Sequence, residues 1–380
     1  MRILNVVTHI DPVTGGGCAE RTLQMSRYLA RCGEKITLLT TDLGLTEECR
    51  QALPGVEVVA LPTLIKRFYI PFLQLNQINK AVAEADIVHL MGHWSVLNTL
   101  VYLFLKRQKK PYVVCTAGAL PISGRSKFLK AIYNSLIGRR MIQEAAADIL
   151  VTAGELPSCQ DYGVEADKIL VIPNGIDPDE PSHIDIEAFR EKYGLSSNPF
   201  ILFMGRLNHI KGPDLLLQAF CEVMDDLPDY HLAVAGPDGG LRQEMEEIAA
   251  RYEAHARIHF LGYLGNPAKT EAYHASQLVV IPSRQEAMSI VVLEAGICGT
   301  PVLLTDRCGF NEAAAIDGVE VVSPSVTGLK AGLLKMLKNP QKLAAQGANL
   351  QRFFQENYRW DAIVCKYIEL YRKILLRRAA

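Results

Sequence analysis

The sequence predicts an α/β protein built from two Rossmann-like domains that face each other across a cleft. The chain has 380 residues, which exceeds the usual size of a single hydrophobic core. Short apolar runs alternate with helical patterns along most of its length, as expected of parallel sheets covered on both faces. A turn-rich segment with three prolines, 173–181, divides this alternation into two series. We therefore expect one domain on each side of that segment.

Each series contains short β-rich runs separated by helical stretches. The strands predicted in the first series are 2–8, 35–41, 56–61, 86–91, 111–116, 148–152 and 168–172. Those predicted in the second are 199–204, 231–235, 257–261, 277–281, 300–305 and 318–322. Residues 340–380 show helical patterns without a strand. The predicted boundaries are 1–177 for the first domain, 178–197 for a linker, 198–357 for the second domain and 358–380 for a final helix.

Composition narrows the class of protein. The chain carries 40 basic and 41 acidic side chains and is 49% hydrophobic, which argues for a globular protein rather than a nucleic-acid binder or a disordered chain. Its nine cysteines are odd in number and scattered without a Cys-x-x-Cys pair, so we expect a reducing, cytoplasmic environment and no zinc site. The N-terminal apolar run is too short for a signal peptide. No run reaches the ~20 apolar residues that span a bilayer.

Two cations follow the first strand of the second series. Arg206 and Lys211 lie in the loop between that strand and a helix that Pro213 and Asp214 can start. At the carboxyl end of a parallel strand, a forked guanidinium and a mobile ammonium suit a diphosphate. The alternative is a pair of surface charges flanking a turn.

Two carboxylates lie eight residues apart in the run Glu286-Ala-Met-Ser-Ile-Val-Val-Leu-Glu294. A strand ends there and a helix is predicted over 288–298. Ligands bind at such carboxyl ends of strands in open α/β sheets. Eight helical residues span about 12 Å, which exceeds the ~5 to 9.5 Å between the paired catalytic carboxylates of glycosidases. Spacing therefore disfavours a glycosidase pair. The alternative is one Glu that favours the helix dipole and a second paired with a basic side chain.

Two glycine-rich loops follow predicted strands. Gly16 and Gly17 precede a helix at Cys18, where the backbone can approach a phosphate or a sugar. Gly236 opens a second flexible loop, Gly236-Pro-Asp-Gly-Gly240. Neither matches the Gly-x-Gly-x-x-Gly dinucleotide pattern, and each is also compatible with a plain turn.

Six short motifs occur in one order along nearly the whole chain. They are Gly15 to Gly17, Pro173 to Asp177, Gly205-Arg-Leu with Lys211-Gly212, Gly236-Pro-Asp, Glu286 to Glu294, and Gly299 to Val302. In this ordered combination the chain resembles the retaining, nucleotide-sugar-dependent glycosyltransferases of family 4 (group 1), which have the GT-B fold of two Rossmann-like domains. The resemblance also implies that the tail from Tyr358 to Tyr371 begins a helix that crosses back to the first domain.

The resemblance implies a role for each matching residue. Arg206 and Lys211 would hold the donor diphosphate and stabilise the leaving charge. Glu286 would bind hydroxyls of the transferred sugar, and Glu294 those of the ribose. Further donor-binding positions are Gly16, Gly17, Gly236, Gly262, Tyr263, Met288, Ser289 and Ile290. A metal is not expected, because two cations already serve the diphosphate, and Asp177-Pro-Asp179 is not interpreted as a metal site.

The chain departs from the family pattern in the first domain. Members often carry a His after the strand that corresponds to 111–116, and Ala117 occupies that place here. His89 and His93 end another strand on the same side of the predicted sheet and could line the acceptor site. The alternative for each is a structural histidine beside a packed Trp. Met288-Ser289 replaces the usual Phe-Gly, and Ser289 is small enough to leave the neighbouring amides accessible.

Basic residues are concentrated between positions 60 and 140. This part of the chain holds twelve Lys or Arg against Glu84 and Asp86, and apolar side chains interleave with them. Such a mixture suits an anionic membrane surface that presents a lipid-linked acceptor, whereas a solvated basic face is the alternative.

The sequence thus predicts a retaining transferase of a hexose or N-acetylhexosamine from a nucleotide-diphosphate sugar to a hydroxyl acceptor. We expect it to act in bacterial cell-surface polysaccharide or glycolipid assembly, in the cytoplasm and peripherally on the inner face of the membrane. Two alternatives remain open at this point. They are a catalytically silent homologue that binds nucleotide sugar and supports a partner enzyme, which Ala117 motivates, and a UDP-sugar epimerase. The sequence indicates no oligomeric state.

Overall fold

The computed structural model describes residues 1–11, 15–122, 126–177, 184–195, 198–310 and 314–379. The chain divides into two compact units, Met1–Gly175 with Trp360–Ala380, and Ile176–Arg359. The N-terminal part of the first unit therefore ends two residues before residue 177, the predicted end of the first domain, and the second unit includes the predicted linker, 178–197. The final helix belongs to the first unit, as the resemblance implied.

The first unit is built on a seven-stranded parallel sheet in the order β3-β2-β1-β6-β7-β8-β9. These strands are β1 Arg2–Val6, β2 Lys35–Thr41, β3 Val56–Leu61, β6 Ile87–Met91, β7 Tyr112–Cys115, β8 Ala147–Leu150 and β9 Ile169–Val171. Strands β4 Thr63–Ile65 and β5 Ile70–Pro71 form a separate antiparallel hairpin that the sequence did not predict.

Helices cover the first sheet, whose strands are largely apolar. They are α1 Gly16–Arg31, α2 Glu47–Gln51, α3 Leu75–Glu84, α4 Val96–Gln108, α5 Lys127–Tyr133, α6 Arg139–Gln143, α7 Leu156–Asp161 and α15 Trp360–Ala379. A π-helical turn, Asn134–Gly138, joins α5 to α6. Helix α15 packs on α1, where the buried Arg21 donates to the carbonyl of Ile172 at 2.8 Å and to the hydroxyl of Tyr367.

The second unit is built on a six-stranded parallel sheet in the order β12-β11-β10-β13-β14-β15. Its strands are β10 Phe200–Met204, β11 His231–Ala235, β12 Ile258–Gly262, β13 Leu278–Ile281, β14 Val302–Thr305 and β15 Val319–Val322. Its helices are α8 Ile186–Lys192, α9 Pro213–Val223, α10 Arg242–Arg251, α11 Ala268–Ala275, α12 Ile290–Ile297, α13 Val326–Leu337 and α14 Pro340–Asn357. Short 3₁₀ turns occur in both units. They are Lys66–Phe68, Ala153–Glu155 and Ala166–Lys168 in the first unit, and His255–Arg257 in the second.

Helix α8 lies within the predicted linker, 178–197, and belongs to the second unit. Asp185 caps it by accepting from the amide of Ala188 at 2.9 Å, and Phe189 is buried. Arg190 donates to the carbonyl of Ala275 at 2.6 Å, which fixes the helix to the end of α11. The described part of the predicted linker is thus a packed element rather than a free connection.

The two units confirm the predicted α/β class with two Rossmann-like halves. Among the residues that the structure describes, no helix is long and apolar enough to cross a membrane.

Candidate active site

The second sheet reverses its strand order between β10 and β13. Chain connections lead from β10 towards β11 and β12 on one side, and from β13 towards β14 and β15 on the other. In doubly wound sheets the ligand crevice opens at such a switch point, outside the carboxyl ends of the strands. The loops that begin at Gly205, after β10, and at Pro282, after β13, therefore flank the expected binding site. These loops carry Lys211 and Glu286, respectively.

Lys211 and Glu286 form an ion pair at this switch point. The Nζ atom of Lys211 lies 2.8 Å from Oε2 of Glu286, and the two side chains are 32% and 9% exposed. Gly212 brings the loops together, because its φ of +67° places the backbone where a Cβ would lie 2.2 Å from the carbonyl oxygen of Pro282. Any larger residue there would push Lys211 away from Glu286.

A second ion pair clamps the same two loops. Arg284 binds Asp214 with its two terminal guanidinium nitrogens, Nη1 at 2.8 Å and Nη2 at 2.5 Å. Its Nη1 also donates to the carbonyl of His209 at 2.7 Å. The amide of Arg284 donates to the carbonyl of Ile210 at 2.7 Å. A bidentate Arg–carboxylate pair fixes orientation as well as distance. Sequence reasoning missed this clamp, since its partners are 70 residues apart.

Glu286 lies in the loop before α12 and is held from three sides. The hydroxyl of Ser283 donates to Oε1, Lys211 binds Oε2, and the Glu286 amide donates to the carbonyl of Arg307 at 2.8 Å. Each carboxylate oxygen retains a lone pair for a further donor. The arrangement can accept hydrogen bonds from a polyol while Lys211 offers its remaining N–H groups to an anion.

Three glycine loops lie side by side at the carboxyl ends of β10, β11 and β12. The amide of Gly205 donates to the carbonyl of Ala235 at 2.9 Å, and the amide of Gly236 donates to the carbonyl of Gly262 at 2.7 Å. A Cβ on Gly236 would lie 1.9 Å from the carbonyl oxygen of Gly205, so this close approach requires glycine. Arg206 follows Gly205 and is half-buried, whereas the side chain of Tyr263 is 50% exposed.

The start of α12 has no side-chain cap. Ser289 is the N-cap residue, and its buried hydroxyl makes no hydrogen bond within the described residues. Met288 is buried and Ile290 is half-buried. The first amides of this helix therefore present a positive end that suits a phosphate or a sugar oxygen.

Glu294 lies inside α12 and is engaged by two side chains of α11. Lys269 Nζ lies 2.7 Å from Oε1, and the Tyr273 hydroxyl donates to Oε2 at 2.6 Å. Burial, together with the carboxylate, raises the pKa of Tyr273 well above its ordinary value, so the hydroxyl stays protonated. Sequence reasoning missed Lys269 and Tyr273. Their i,i+4 spacing places them on one face of α11, but nothing in the sequence indicates that the face meets Glu294.

The first sheet has its own switch point, between β1 and β6. Gly16 and Gly17 are exposed at the start of α1, which has neither a side-chain cap nor an acidic residue in its first turn. The hydroxyl of Thr8, after β1, donates to that of Ser95, after β6, at 2.8 Å. The predicted glycine loop therefore lies at a second position that suits a ligand.

The two predicted acceptor-site histidines lie in the interior of the first unit. His89 is fully buried, and its Nδ1 lies 2.7 Å from the hydroxyl of Tyr371 on α15. His93 is buried, with Nε2 2.8 Å from Oδ1 of Asn134. Burial lowers the pKa of His89 to about 3 and that of His93 to about 4, so both are neutral near pH 7. Their positions favour the structural alternative.

Ala117 follows β7 with a φ of +45°, which is uncommon for a residue with a side chain. The next amide, that of Gly118, donates to Oε2 of the buried Glu155. Oε1 of Glu155 accepts from the amide of Val151 at 2.7 Å. Glu155 therefore fixes the backbone of the segment where the family pattern places a histidine.

Within the described ranges, no three His, Cys, Asp or Glu side chains form a group that could hold a metal ion. Asp179, part of the triplet discussed above, lies outside those ranges.

Two Rossmann-like units, with Lys211 and Glu286 at the switch point of the second, fit the class of nucleotide-sugar-dependent transferases. Residues 185–353 match the family model of glycosyl transferases group 1, and residues 15–180 match that of glycosyltransferase family 4. The chain belongs to the family 4 (group 1) glycosyltransferases.

Curated relatives agree with this assignment. The D-inositol 3-phosphate glycosyltransferase of Rhodococcus erythropolis is 31% identical over 394 residues, covering 96% of this chain and 88% of that protein. The protein of the same name from Gordonia bronchialis is 28% identical over 419 residues, covering 100% and 90%.

Two solved structures share the fold. Sucrose-phosphate synthase from Thermosynechococcus elongatus matches with a TM-score of 0.78 at 20% identity, covering 100% of both chains. Anabaena HepE, in complex with UDP and glucose, matches with a TM-score of 0.78 at 18% identity, covering 98% of this chain and 100% of that one.

Proposed function

We propose that this glycosyltransferase moves a hexose or an N-acetylhexosamine from a nucleotide-diphosphate sugar to a hydroxyl acceptor with retention of the anomeric configuration. The ion pair of Lys211 and Glu286 at the β10/β13 switch point carries the proposal. It offers an ammonium to the diphosphate and a carboxylate to the sugar from adjacent loops. Glu294, with Lys269 and Tyr273, would bind the ribose hydroxyls.

In the proposed reaction, the bond between the anomeric carbon and the diphosphate oxygen breaks, and the nucleotide diphosphate leaves with the electron pair. Arg206 and Lys211 stabilise the developing negative charge. The acceptor oxygen bonds to the anomeric carbon from the same face, and its proton passes to an oxygen of the leaving phosphate. This route needs no side-chain base, so Ala117 in place of a histidine is compatible with turnover.

A metal is not required by this proposal. Charge on the diphosphate is balanced by Arg206, Lys211 and the uncapped start of α12. The expected absence of a metal dependence is tested by comparing rates in chelator and in Mg²⁺.

The acceptor is proposed to be lipid-linked, in cell-surface polysaccharide or glycolipid assembly at the cytoplasmic face of the membrane. The support is the basic excess between positions 60 and 140. The names of the curated relatives favour a second acceptor, D-inositol 3-phosphate. The donor reaction is the same for either acceptor. Transfer to either one would make the protein a transferase rather than a UDP-sugar epimerase.

A donor panel tests the proposal. Thermal shifts with UDP, GDP and their hexose and N-acetylhexosamine conjugates should identify a stabilising nucleotide, because a ligand of the folded state raises stability by mass action. The stabilising donor is then incubated with D-inositol 3-phosphate or with a lipid extract, and the anomeric configuration of the product is determined by NMR. Binding of nucleotide without transfer from any donor would favour the catalytically silent alternative. Inversion would overturn the proposed stereochemistry.

A further inference from the structure

Exposed apolar side chains are concentrated in one part of the first unit. Among the described residues, thirteen of the eighteen exposed large apolar side chains lie between Leu64 and Leu136. Phe68 is 60% exposed, Phe128 77% and Leu136 70%. Exposed apolar side chains that are concentrated in one stretch of the chain are typical of an interaction surface rather than of the scattered apolar residues of an ordinary exterior.

These side chains come mainly from two segments. The hairpin segment, residues 63–75, comprises β4, a 3₁₀ turn, β5 and the start of α3. The helix segment, residues 127–136, comprises α5 and part of the π-helical turn. Their exposed members are Leu64, Ile65, Phe68, Phe72, Leu73 and Leu75 in the first, and Phe128, Leu129, Ile132 and Leu136 in the second.

Both segments lie at the carboxyl edge of the first sheet. The hairpin segment directly follows β3, and its Tyr69 stacks on His9, beyond β1, with ring centroids 4.1 Å apart. The helix segment comes after β7, and Lys130 lies over the ring of Trp94, beyond β6, at 5.2 Å. Helix α4 follows β6 and contacts β5. The exposed apolar residues therefore lie at the edge where an open α/β sheet binds its ligand.

Charge on the two segments has one sign. Lys66 and Arg67 lie at the tip of the hairpin segment, and Lys127 and Lys130 lie on the helix segment. The sequence contains no Asp or Glu between positions 62 and 83 or between 116 and 143. Cations interleaved with aromatic and aliphatic side chains match the interface of an anionic bilayer, where the charges meet headgroups and the apolar groups enter the acyl boundary.

We propose that the hairpin and helix segments form a membrane-docking surface that binds an anionic lipid bilayer, with Phe68, Phe128 and Leu136 among the inserted side chains. Docking places the ligand edge of the first sheet against the bilayer, so that a lipid-linked acceptor reaches it without leaving the membrane. That last step rests on the proposed function, whereas binding to the bilayer does not.

The experiment is co-sedimentation of the full chain with vesicles of phosphatidylcholine alone or with phosphatidylglycerol, at low and high salt. Wild type should bind the anionic vesicles at low salt, dissociate from them at high salt and not bind the neutral vesicles. A K66Q/R67Q/K127Q variant should bind roughly 100-fold more weakly, since each cation near an anionic surface contributes about fivefold. A K338Q/K342Q/R352Q variant, which neutralises two exposed lysines and one exposed arginine of the second unit, is the matched control and should bind like wild type.

The contribution of the apolar side chains to vesicle binding is tested with an F68S/F128S/L136S variant. The control is V171S/L376S, which changes exposed apolar residues outside the docking surface. The first should lose at least tenfold in binding, and the second should not. Absence of wild-type binding to anionic vesicles, or equal losses in test and control variants, would overturn the proposal. So would a wild-type oligomer that F68S/F128S/L136S converts to monomers without vesicles, because the surface would then join copies of the chain.

Calorimetry with UDP and GDP checks that the second unit of each variant is folded and binds nucleotide diphosphate like wild type. A wild type that binds vesicles but no nucleotide diphosphate would refute the proposed function and leave the docking surface standing.

Discussion

Lys211 Nζ lies 2.8 Å from Oε2 of Glu286, so the cation proposed for the diphosphate and the carboxylate proposed for the sugar are already in contact. The pair joins the loops after β10 and β13 at the point where the sheet reverses its order. A donor bound there would meet both charges at the bond that breaks. Pairing also holds each side chain near its place before the donor arrives, which lowers the ordering cost of the reaction.

Replacing Lys211 by Ala should lower kcat/KM for the donor by roughly 10²-fold or more, the scale of losing one preorganised donor. Lys330 provides a matched control, because it pairs with Glu222 at 2.9 Å and is 34% exposed, against 32% for Lys211. Lys330→Ala removes a comparable ion pair that joins helices α13 and α9 and lies outside the switch-point loops. Steady-state rates for both variants decide the matter, and equal losses would reduce the Lys211 pair to a structural role.

Glu286→Gln should lower kcat by about 10²-fold while the Kd for the free nucleotide diphosphate stays within about threefold, because the side chain is proposed to meet the sugar rather than the nucleotide. Ser283→Ala removes only the hydroxyl that donates to Oε1 and should cost about tenfold in kcat. Glu222→Gln is the control. Turnover and calorimetry are measured together, and a parallel loss of nucleotide affinity would contradict the assignment of Glu286.

Glu294→Gln should weaken the nucleotide diphosphate about tenfold or more, since hydrogen bonds to a charged group contribute about 1.5–3 kcal/mol. The effect should vanish with the 2′,3′-dideoxy nucleotide, because the contacted hydroxyls are then absent. Glu320→Gln is the matched control, as Glu320 binds Lys335 at 2.7 Å, the distance between Glu294 and Lys269. An undiminished effect on the dideoxy nucleotide would show that Glu294 only positions Lys269 and Tyr273.

Gly236→Ala should weaken nucleotide binding at least tenfold, because its Cβ would lie 1.9 Å from the carbonyl oxygen of Gly205 and displace the loop that carries Arg206. Gly240→Ala separates this clash from backbone strain. Gly240 has a φ of +104° against +140° for Gly236, but no atom lies within 4 Å of its Cβ position. Calorimetric affinities of the two variants should differ, and similar losses would attribute the effect to strain alone.

Regular elements were predictable because their signals are local. Strands β2, β3 and β11 match their predicted bounds, since each is an apolar run that polar or turn residues delimit. The β4/β5 hairpin was missed because its strands have only three and two residues, which is too short for an alternating pattern. Helix α8 has only seven residues and follows a proline-rich stretch, so its pattern was interpreted as a linker.

The candidate site was predictable only as far as its chemistry lies in single loops. The motifs placed Lys211, Glu286 and Glu294 after the right strands. The contacts of Glu294 with Lys269 and Tyr273 depend on how α11 packs against α12, which no local pattern encodes. His89 was expected at an accessible edge, but α15, which lies 282 residues further on, supplies Tyr371 and buries the ring.

Asp148 provides a test of burial in the first sheet. Its carboxylate is buried in β8, and neither oxygen has a hydrogen-bond partner within the described residues. Burial raises the pKa of Asp148 to about 8, although Lys168 opposes the shift. Between the unfolded pKa of ~3.9 and the folded pKa of about 8, the unfolded chain binds fewer protons at this site than the folded protein. Asp148 therefore makes the free energy of unfolding fall as pH rises through this window.

Asp148→Asn removes that titration and keeps the size of the side chain. The free energy of unfolding of the variant minus that of wild type should increase from pH 5 to pH 8 by roughly 3–4 kcal/mol, with a slope that cannot exceed about 1.4 kcal/mol per pH unit for one proton. Urea unfolding at pH 5, 6, 7 and 8 measures this difference directly. A difference that stays constant with pH would mean that Asp148 ionises in the folded protein at its ordinary pKa, and a decrease would reverse the sign of the burial effect.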